Sequence, residues 1–224
     1  RGNFRPIFAF EHVDGGACGL ESFMRRAFAY LLFLLACAAV FARGGSSVIL
    51  FETKKYVSFF DAPIAGKSAL ASDSEGRVRW QTLEPYVSAM IFDGSEAAAF
   101  EFEGGKWRRA DMPASRAVAE VMAGLKGAIS GGNIPEKVFG VSGTSGDSYT
   151  IVPKDPAMAR AVKSITVKFA AGSREPELVT VHDPSGDRTE MRVVKRAAGD
   201  FDISAAFDVS DPSAFDPKTF LEKK

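Results

Sequence analysis

The chain has 224 residues, of which 28 are basic and 28 acidic, so its formal charge at pH 7 is zero. This balance gives no electrostatic basis for binding nucleic acid. With two cysteines, Cys18 and Cys37, and two histidines, the sequence is also poor in the residue types that redox and metal sites require.

Residues 24–42 have the pattern of a bacterial export signal. Met24 is followed by two arginines and then by an apolar run over residues 27–36. Residues 40–42, Val-Phe-Ala, place small side chains at the two positions that a signal peptidase reads. The pattern therefore predicts that the protein is exported to the periplasm.

This signal divides the chain into an upstream or wrongly assigned segment (1–23), a signal peptide (24–42) and a single domain (43–224). Both cysteines precede the domain, so neither disulfide nor thiol chemistry is expected in it. The tetrapeptide that ends in Cys37, Leu-Leu-Ala-Cys, also resembles the lipobox of bacterial lipoproteins, which leaves a lipid anchor at Cys37 open. The apolar run is shorter than the about 20 residues that a membrane-spanning helix needs.

After residue 44, short alternating segments separated by turns are typical of antiparallel strands with one buried face. Val78 and Trp80 alternate with Arg77 and Arg79, which predicts that both arginines lie on a solvated face. The predicted strands cover residues 48–57, 64–72, 77–80, 86–92, 97–103, 106–109, 138–141, 149–152, 165–169, 178–181 and 189–194.

The alternation breaks at Ser115, which can cap an amphipathic helix that ends at Gly131. Its apolar positions recur every three or four residues, and they are Val118, Val121, Met122, Leu125 and Ile129. A second, short helix is predicted at 155–162. The tail contains two Asp-Pro pairs, and we expect it to be loosely attached, with at most one edge strand around Phe207.

No arrangement of residues indicates catalysis. His182 ends a predicted strand and is the single histidine after the signal, so a histidine-rich metal site is not expected. No serine stands in a nucleophile elbow, and neither glycine-rich segment, 124–127 or 143–146, has the spacing of a phosphate-binding loop. We therefore expect a protein without enzymatic activity, metal or cofactor.

The predicted sheet carries more apolar side chains than one helix of about 15 residues, roughly 22 Å long, can cover. A broad curved sheet with too small a cover closes into a barrel, packs on a partner or keeps a cavity for an apolar ligand. An ordinary filled core is the alternative. The candidate ligand-binding residues are the helix positions named above and the apolar residues on one side of the sheet. The candidates on the sheet are Val78, Trp80, Met90, Phe92, Phe100, Phe102, Ile151, Ile165, Val167, Phe169, Met191 and Val193.

Several short motifs follow one another in a set order between residues 48 and 194. They are a glycine with an apolar strand (66–72), an Arg-Trp strand (76–80), a proline turn (84–86), an Asp-Gly turn (92–94), and then segments 149–154, 165–167 and 183–189. In their order and spacing these motifs resemble the bacterial outer-membrane lipoprotein carrier family, the LolA-like proteins.

The resemblance implies a mainly β (α+β) fold, in which a curved antiparallel sheet forms an incomplete half-barrel with a helical lid. It also implies a periplasmic carrier that shields lipoprotein acyl chains in an apolar cavity. An inner-membrane releasing complex and an outer-membrane acceptor would be its partners, and we expect a monomer. Two alternatives remain: a membrane-anchored acceptor of the same fold, acylated at Cys37, or an envelope structural module that binds no ligand.

Overall fold

The computed structural model describes residues 45–111, 139–145, 147–154, 156–159, 162–172 and 175–221. Its strands are β1 (Ser46–Tyr56), β2 (Ile64–Ser72), β3 (Val78–Glu84), β4 (Ser88–Phe92), β5 (Ala97–Glu103), β6 (Lys106–Ala110), β7 (Phe139–Ser145), β8 (Ser148–Pro153), β9 (Ser164–Phe169), β10 (Pro176–His182) and β11 (Arg188–Gly199). The helical elements of the described residues are α1 (Pro156–Ala159), a 3₁₀ helix (Ser204–Phe207) and α2 (Lys218–Leu221).

All eleven strands belong to one antiparallel sheet with the order β6-β5-β4-β3-β2-β1-β11-β10-β9-β8-β7. Strands that are neighbours in the sheet are also neighbours in the sequence, except at the central pair of β1 and β11. The edges are β6 and β7, and no ladder within the described residues joins them, so the sheet is open. This confirms the predicted mainly β fold with an unclosed antiparallel sheet, while the predicted lid helix at 115–131 lies outside the described residues.

Cross-strand pairing sorts the side chains onto two faces, because directly opposed residues of neighbouring strands point the same way. We call one of them the inner face. Its buried apolar residues are at most 9% exposed, and the register assigns to it Ile49, Phe51, Leu70, Val78, Trp80, Met90, Phe92, Ile151, Ile165, Val167, Val179, Val181 and Met191.

The inner face is concave where β1, β2 and β3 meet. Phe51 and Trp80 lie on strands separated by β2, yet their ring centroids are 5.7 Å apart. Two strand spacings in a flat sheet amount to about 9.5 Å, so the two side chains converge over β2. Convergence of this kind is what curvature toward the inner face produces.

The opposite, outer face is covered over half its width by the C-terminal segment, residues 201–221. Buried residues of both surfaces form one hydrophobic cluster, made of Val48, Ala71, Ile91, Ala98 and Phe100 from the sheet and Ile203, Ala206, Phe207, Phe215 and Leu221 from the segment. The expected loose tail with an edge strand around Phe207 is therefore wrong. Phe207 lies in the 3₁₀ helix and is buried, because the large apolar residues of the segment pack against the sheet.

Aspartate turns give the C-terminal segment its path. An aspartate side chain that accepts a hydrogen bond from the backbone N–H two residues later closes a turn without any strand ladder. Four aspartates of the segment do so, at donor–acceptor distances of 2.8 to 3.0 Å, and they are Asp202, Asp208, Asp211 and Asp216. These turns fold a segment rich in Asp, Ser and Pro onto the sheet.

Arg79 ties this segment to the outer face. Its side chain is 0% exposed; Nε donates to Oε1 of Gln81 at 3.1 Å and Nη2 donates to the carbonyl oxygen of Pro212 at 2.8 Å. The guanidinium carbon lies 5.2 Å from the centroid of the Phe215 ring. Burial lowers the pKa of Arg79 to about 10, although the carboxylate of Asp211 acts in the opposite direction.

The prediction that both arginines beside Trp80 lie on a solvated face is thus wrong for Arg79. The alternation itself is as predicted, since Val78 and Trp80 share the inner face. Arg77 remains partly exposed, and its Nε lies 2.6 Å from Oδ2 of Asp73. Arg79 differs because the C-terminal segment, distant in sequence, covers its part of the outer face.

Gly66 allows β2 and β3 to approach closely where their register shifts next to Lys67. A Cβ atom at this position would lie 2.5 Å from the carbonyl oxygen of Glu84 and 2.9 Å from Oγ1 of Thr53. We expect Gly66→Ala to lower the free energy of unfolding by about 1–3 kcal/mol, because the backbone of β3 must move away.

Urea unfolding measures this change. Gly140→Ala is the matched control, since its Cβ would have no neighbour nearer than Cε of Lys154 at 3.5 Å, an ordinary contact. Equal midpoints for the two variants would contradict the close-approach explanation for Gly66.

Candidate functional site

The inner face collects most of the candidate binding residues predicted on strands. Val78 is paired with Phe92 and Trp80 with Met90. On the other half of the sheet, Ile151 faces Ile165, Val167 faces Val179, and Val179 faces Met191. These residues form one apolar surface that runs from β4 across the central strands to β8.

Two further candidates lie at the border of this surface. Val193 is paired with Phe51 and is half-buried on the inner face. Phe169, also half-buried, is in contact with the ring of Tyr149, with the centroids 5.4 Å apart. Both therefore lie at the edge of the apolar surface of the inner face.

Phe100 and Phe102 do not lie on the inner face, so the prediction that they share a side with Met90 is wrong. The register pairs Met90 with Ala99 and Ala89 with Phe100, which directs Phe100 to the outer face. There Phe100 is buried in the cluster under the C-terminal segment, whereas Phe102 is 44% exposed. The four-residue loop between β4 and β5 sets this register, and alternation within β5 alone does not reveal it.

The helix positions predicted to face the sheet, Val118, Val121, Met122, Leu125 and Ile129, lie outside the described residues. The structure instead adds inner-face residues that the sequence prediction omitted: Ile49, Phe51, Leu70, Val179 and Val181. All five lie in segments predicted as strands. Ile49 and Leu70 have buried neighbours on the opposite face, such as Val48 and Ala71, so alternation of apolar and polar residues does not single them out.

The inner face changes from apolar to hydroxylated between two neighbouring rows of paired residues. One row holds Ile49, Leu70, Trp80 and Met90, and the next row toward the β1–β2 loop holds Phe51, Ser68, Thr82 and Ser88. We call the three hydroxyl-bearing members, Ser68, Thr82 and Ser88, the hydroxyl row. The inner face therefore has an apolar part and a polar border.

Ser68 differs in its hydrogen bonding from Ser72 on the same strand and face. It is 2% exposed, and its Oγ has no hydrogen-bond partner among the residues that the structure describes. At the C-terminal end of the same strand, Ser72 shares a hydrogen bond with Ser47, with 2.9 Å between the two Oγ atoms. Sequence analysis missed Ser68, although its position two residues before Leu70 placed it on the same face.

Few titratable side chains in the described part of the chain lie close to the inner face. Among the described residues, no group of three or more His, Cys, Asp or Glu side chains is arranged to hold a metal ion. Arg196, at the border next to Ile49, forms an ion pair with Glu175, with 3.7 Å between Nη1 and Oε1. His182 ends β10, as predicted.

A second concave feature lies on the outer side, within the C-terminal segment. Its volume is about 300 Å³, and its lining combines apolar residues such as Phe215 and Phe220 with the carboxylates of Asp202 and Asp216. Exposed aromatic side chains occur in the β1–β2 loop, where the rings of Phe59 and Phe60 have centroids 4.7 Å apart. In the described parts of the chain, no helix has the length and apolarity to cross a membrane.

Three solved structures show what this chain is similar to. A LolA superfamily protein from Nitrosomonas europaea has a TM-score of 0.44 and 10% sequence identity, over 79% of this chain and 96% of its own. An outer membrane lipoprotein-sorting protein domain from Vibrio parahaemolyticus has a TM-score of 0.40 and 9% identity, over 83% and 98%. An uncharacterized conserved protein from Thermus thermophilus has a TM-score of 0.45 and 7% identity, over 80% and 94%.

No family model matches the chain, and no curated protein matches it. Two of the three solved structures carry names from the family that the sequence motifs resemble. At these identities and TM-scores, the similarity names neither a ligand nor a partner for this chain.

Proposed function

We propose that this protein is a periplasmic carrier that holds the acyl chains of lipoproteins against the inner face of its sheet and passes them toward the outer membrane. The observation that supports this proposal is the continuous apolar surface from β4 to β8, to which eight strands contribute. The export signal at residues 24–42 supports the periplasmic location. Binding and transfer, without chemical conversion of the cargo, are the proposed activity.

The dimensions and energetics of the inner face suit an acyl chain. Eight strands at a spacing of about 4.8 Å span roughly 34 Å, while one acyl chain reaches across about half of a 30 Å hydrocarbon core. Each CH₂ group that leaves water contributes about 0.8 kcal/mol. A surface of this kind therefore supplies affinity without any charged or reactive group.

Binding of a fluorescently labelled triacylated lipopeptide to the purified protein tests the proposal. We expect saturable binding by the wild type and an affinity at least tenfold weaker for Val193→Glu, because the new carboxylate would lie on the apolar inner face. Val194→Glu is the matched control, since Val194 is the neighbouring bulge residue, is 51% exposed and has no cross-strand partner in β1.

The control is expected to bind within twofold of the wild type, and circular dichroism must show that both variants are folded. Failure of the wild type to bind the lipopeptide would remove the proposal. Equal weakening by both glutamates would show that the inner face is not where the acyl chains lie.

An envelope structural module is the second candidate function, favoured by the burial of the inner-face residues to 9% exposure or less. For such a module, organic extraction of the purified protein would release no lipid, and no apolar probe would bind.

The anchored acceptor would differ from the carrier in its N-terminus, which would carry an acylated cysteine. Mass spectrometry of the exported protein separates them, since an acyl group on Cys37 identifies the acceptor.

A further inference from the structure

Ser68 carries a buried hydroxyl group for which the described residues supply no hydrogen-bond partner. Its flanking residues in the same row are Phe51 on β1 and Thr82 on β3. Along β2 the next inner-face residue is Leu70, which is 0% exposed. This member of the hydroxyl row is therefore directly adjacent to the apolar part of the inner face.

A buried hydroxyl group with no hydrogen bond destabilises the folded state, whereas the same group with a partner is close to neutral or favourable. An alanine at position 68 would avoid this cost and fit the strand, as Ala69 and Ala71 do. Ser47 and Ser72, on the same face, are hydrogen-bonded to each other. Ser68 is thus suited to receive its partner from a bound molecule.

We propose that Oγ–H of Ser68 donates a hydrogen bond to the carbonyl oxygen of a bound acyl ester or amide. This inference rests on the proposed carrier function and adds a direction to it. The carbonyl lies at the hydroxyl row, near Thr82 and Ser88, and the hydrocarbon chain extends over Leu70 and Trp80 toward the apolar end of the strands. The inner face then selects acyl groups over plain hydrocarbons.

Two fluorescent probes of similar shape separate this hydrogen bond from apolar binding. Diphenylhexatriene has no polar atom, and the methyl ester of its propionic acid derivative adds one acyl carbonyl. For Ser68→Ala we expect the affinity for the ester to fall about five- to tenfold, the loss of one buried hydrogen bond. The affinity for diphenylhexatriene is expected to change less than twofold.

Ser72→Ala is the matched control on the same strand and face, and it should leave the affinity for both probes within twofold of the wild type. Thermal unfolding without ligand is a second measurement, and it distinguishes a lost hydrogen bond to the ligand from a loss of stability. Ser68→Ala should raise the midpoint, because it removes an unpaired hydroxyl, and Ser72→Ala should lower it, because it deprives Ser47 of its partner.

Three outcomes would refute the proposed hydrogen bond from Ser68. If the wild type binds both probes and Ser68→Ala binds the ester as tightly as the wild type does, the hydrogen bond is refuted while the carrier function stands. An equal loss for both probes in Ser68→Ala also refutes it, since Ser68 would then shape the surface without recognising a carbonyl. A wild type that binds neither probe refutes the carrier function together with this inference.

Discussion

Replacing Arg79 by alanine is expected to lower the free energy of unfolding by about 3–5 kcal/mol, the range typical of breaking a buried charged network. Besides its bonds to Gln81 and Pro212, the guanidinium donates from Nη1 to the carbonyl oxygen of Ala206 at 3.4 Å. The alanine variant would leave both carbonyl groups of the C-terminal segment buried without their donor. It would also open a cavity beneath Phe215.

Urea unfolding of a small series separates charge from volume. Arg79→Met keeps most of the volume and buries no charge, so it should lose less stability than Arg79→Ala. Arg108→Ala removes an exposed arginine of β6 and should stay within about 0.5 kcal/mol of the wild type. Equal midpoints for Arg79→Ala and Arg108→Ala would show that Arg79 does not hold the segment.

The pH dependence of this series follows from the lowered pKa of Arg79, about 10 in the folded state against 12.5 ordinarily. Below pH 9 both states carry the proton, so the difference in stability between the wild type and Arg79→Met should be constant from pH 6 to 9. Above pH 10 the unfolded state binds more protons, and the contribution of this group to stability increases with pH. A difference that changes by more than about 1 kcal/mol between pH 6 and 9 would contradict this assignment.

Phe207→Ala is expected to be comparably damaging, with a loss of about 3–5 kcal/mol. The side chain is 3% exposed and packs in the cluster between the sheet and the C-terminal segment. Its removal leaves a cavity that the turns on either side hold open. Phe102→Ala is the matched control, because Phe102 lies on the same outer face but is 44% exposed to solvent.

Limited proteolysis complements the unfolding midpoints for this pair. With Phe207→Ala, a broad-specificity protease should cleave within residues 201–221 much faster than in the wild type, since the segment detaches more often. Fragments identified by mass spectrometry locate the cuts. If Phe102→Ala accelerated the same cuts as strongly, the burial of Phe207 would not be what retains the segment.

The strands could be predicted because each carries its own alternation. Residues 64–72 match β2 without error, since Ile64 follows a proline and Ser72 precedes an aspartate turn. β11 was predicted to stop at Val194 but runs on to Gly199. The alternation fails there because Val194 forms a bulge, after which Arg196, not Lys195, points to the inner face.

What could not be predicted depends on the register between strands and on contacts between residues far apart in sequence. The faces of Phe100 and Phe102 are set by the loop before β5, and the burial of Arg79 is set by residues more than a hundred positions later. The importance of Ser68 appears only when its neighbours on β1 and β3 are known. Sequence patterning identified the apolar face, whereas register and long-range cover decided which side chains belong to it.

The central pairing of β1 with β11 governs how the chain can fold. Tyr56 pairs with Arg188 and Ser46 with Gly199, so this ladder joins the earliest and latest strands, while every other hairpin is built from near neighbours in sequence. Loop-closure entropy makes such a distant ladder slow to form. Two meanders, β1 to β6 and β7 to β11, can therefore assemble early, and the rate of folding depends on the β1–β11 ladder that joins them.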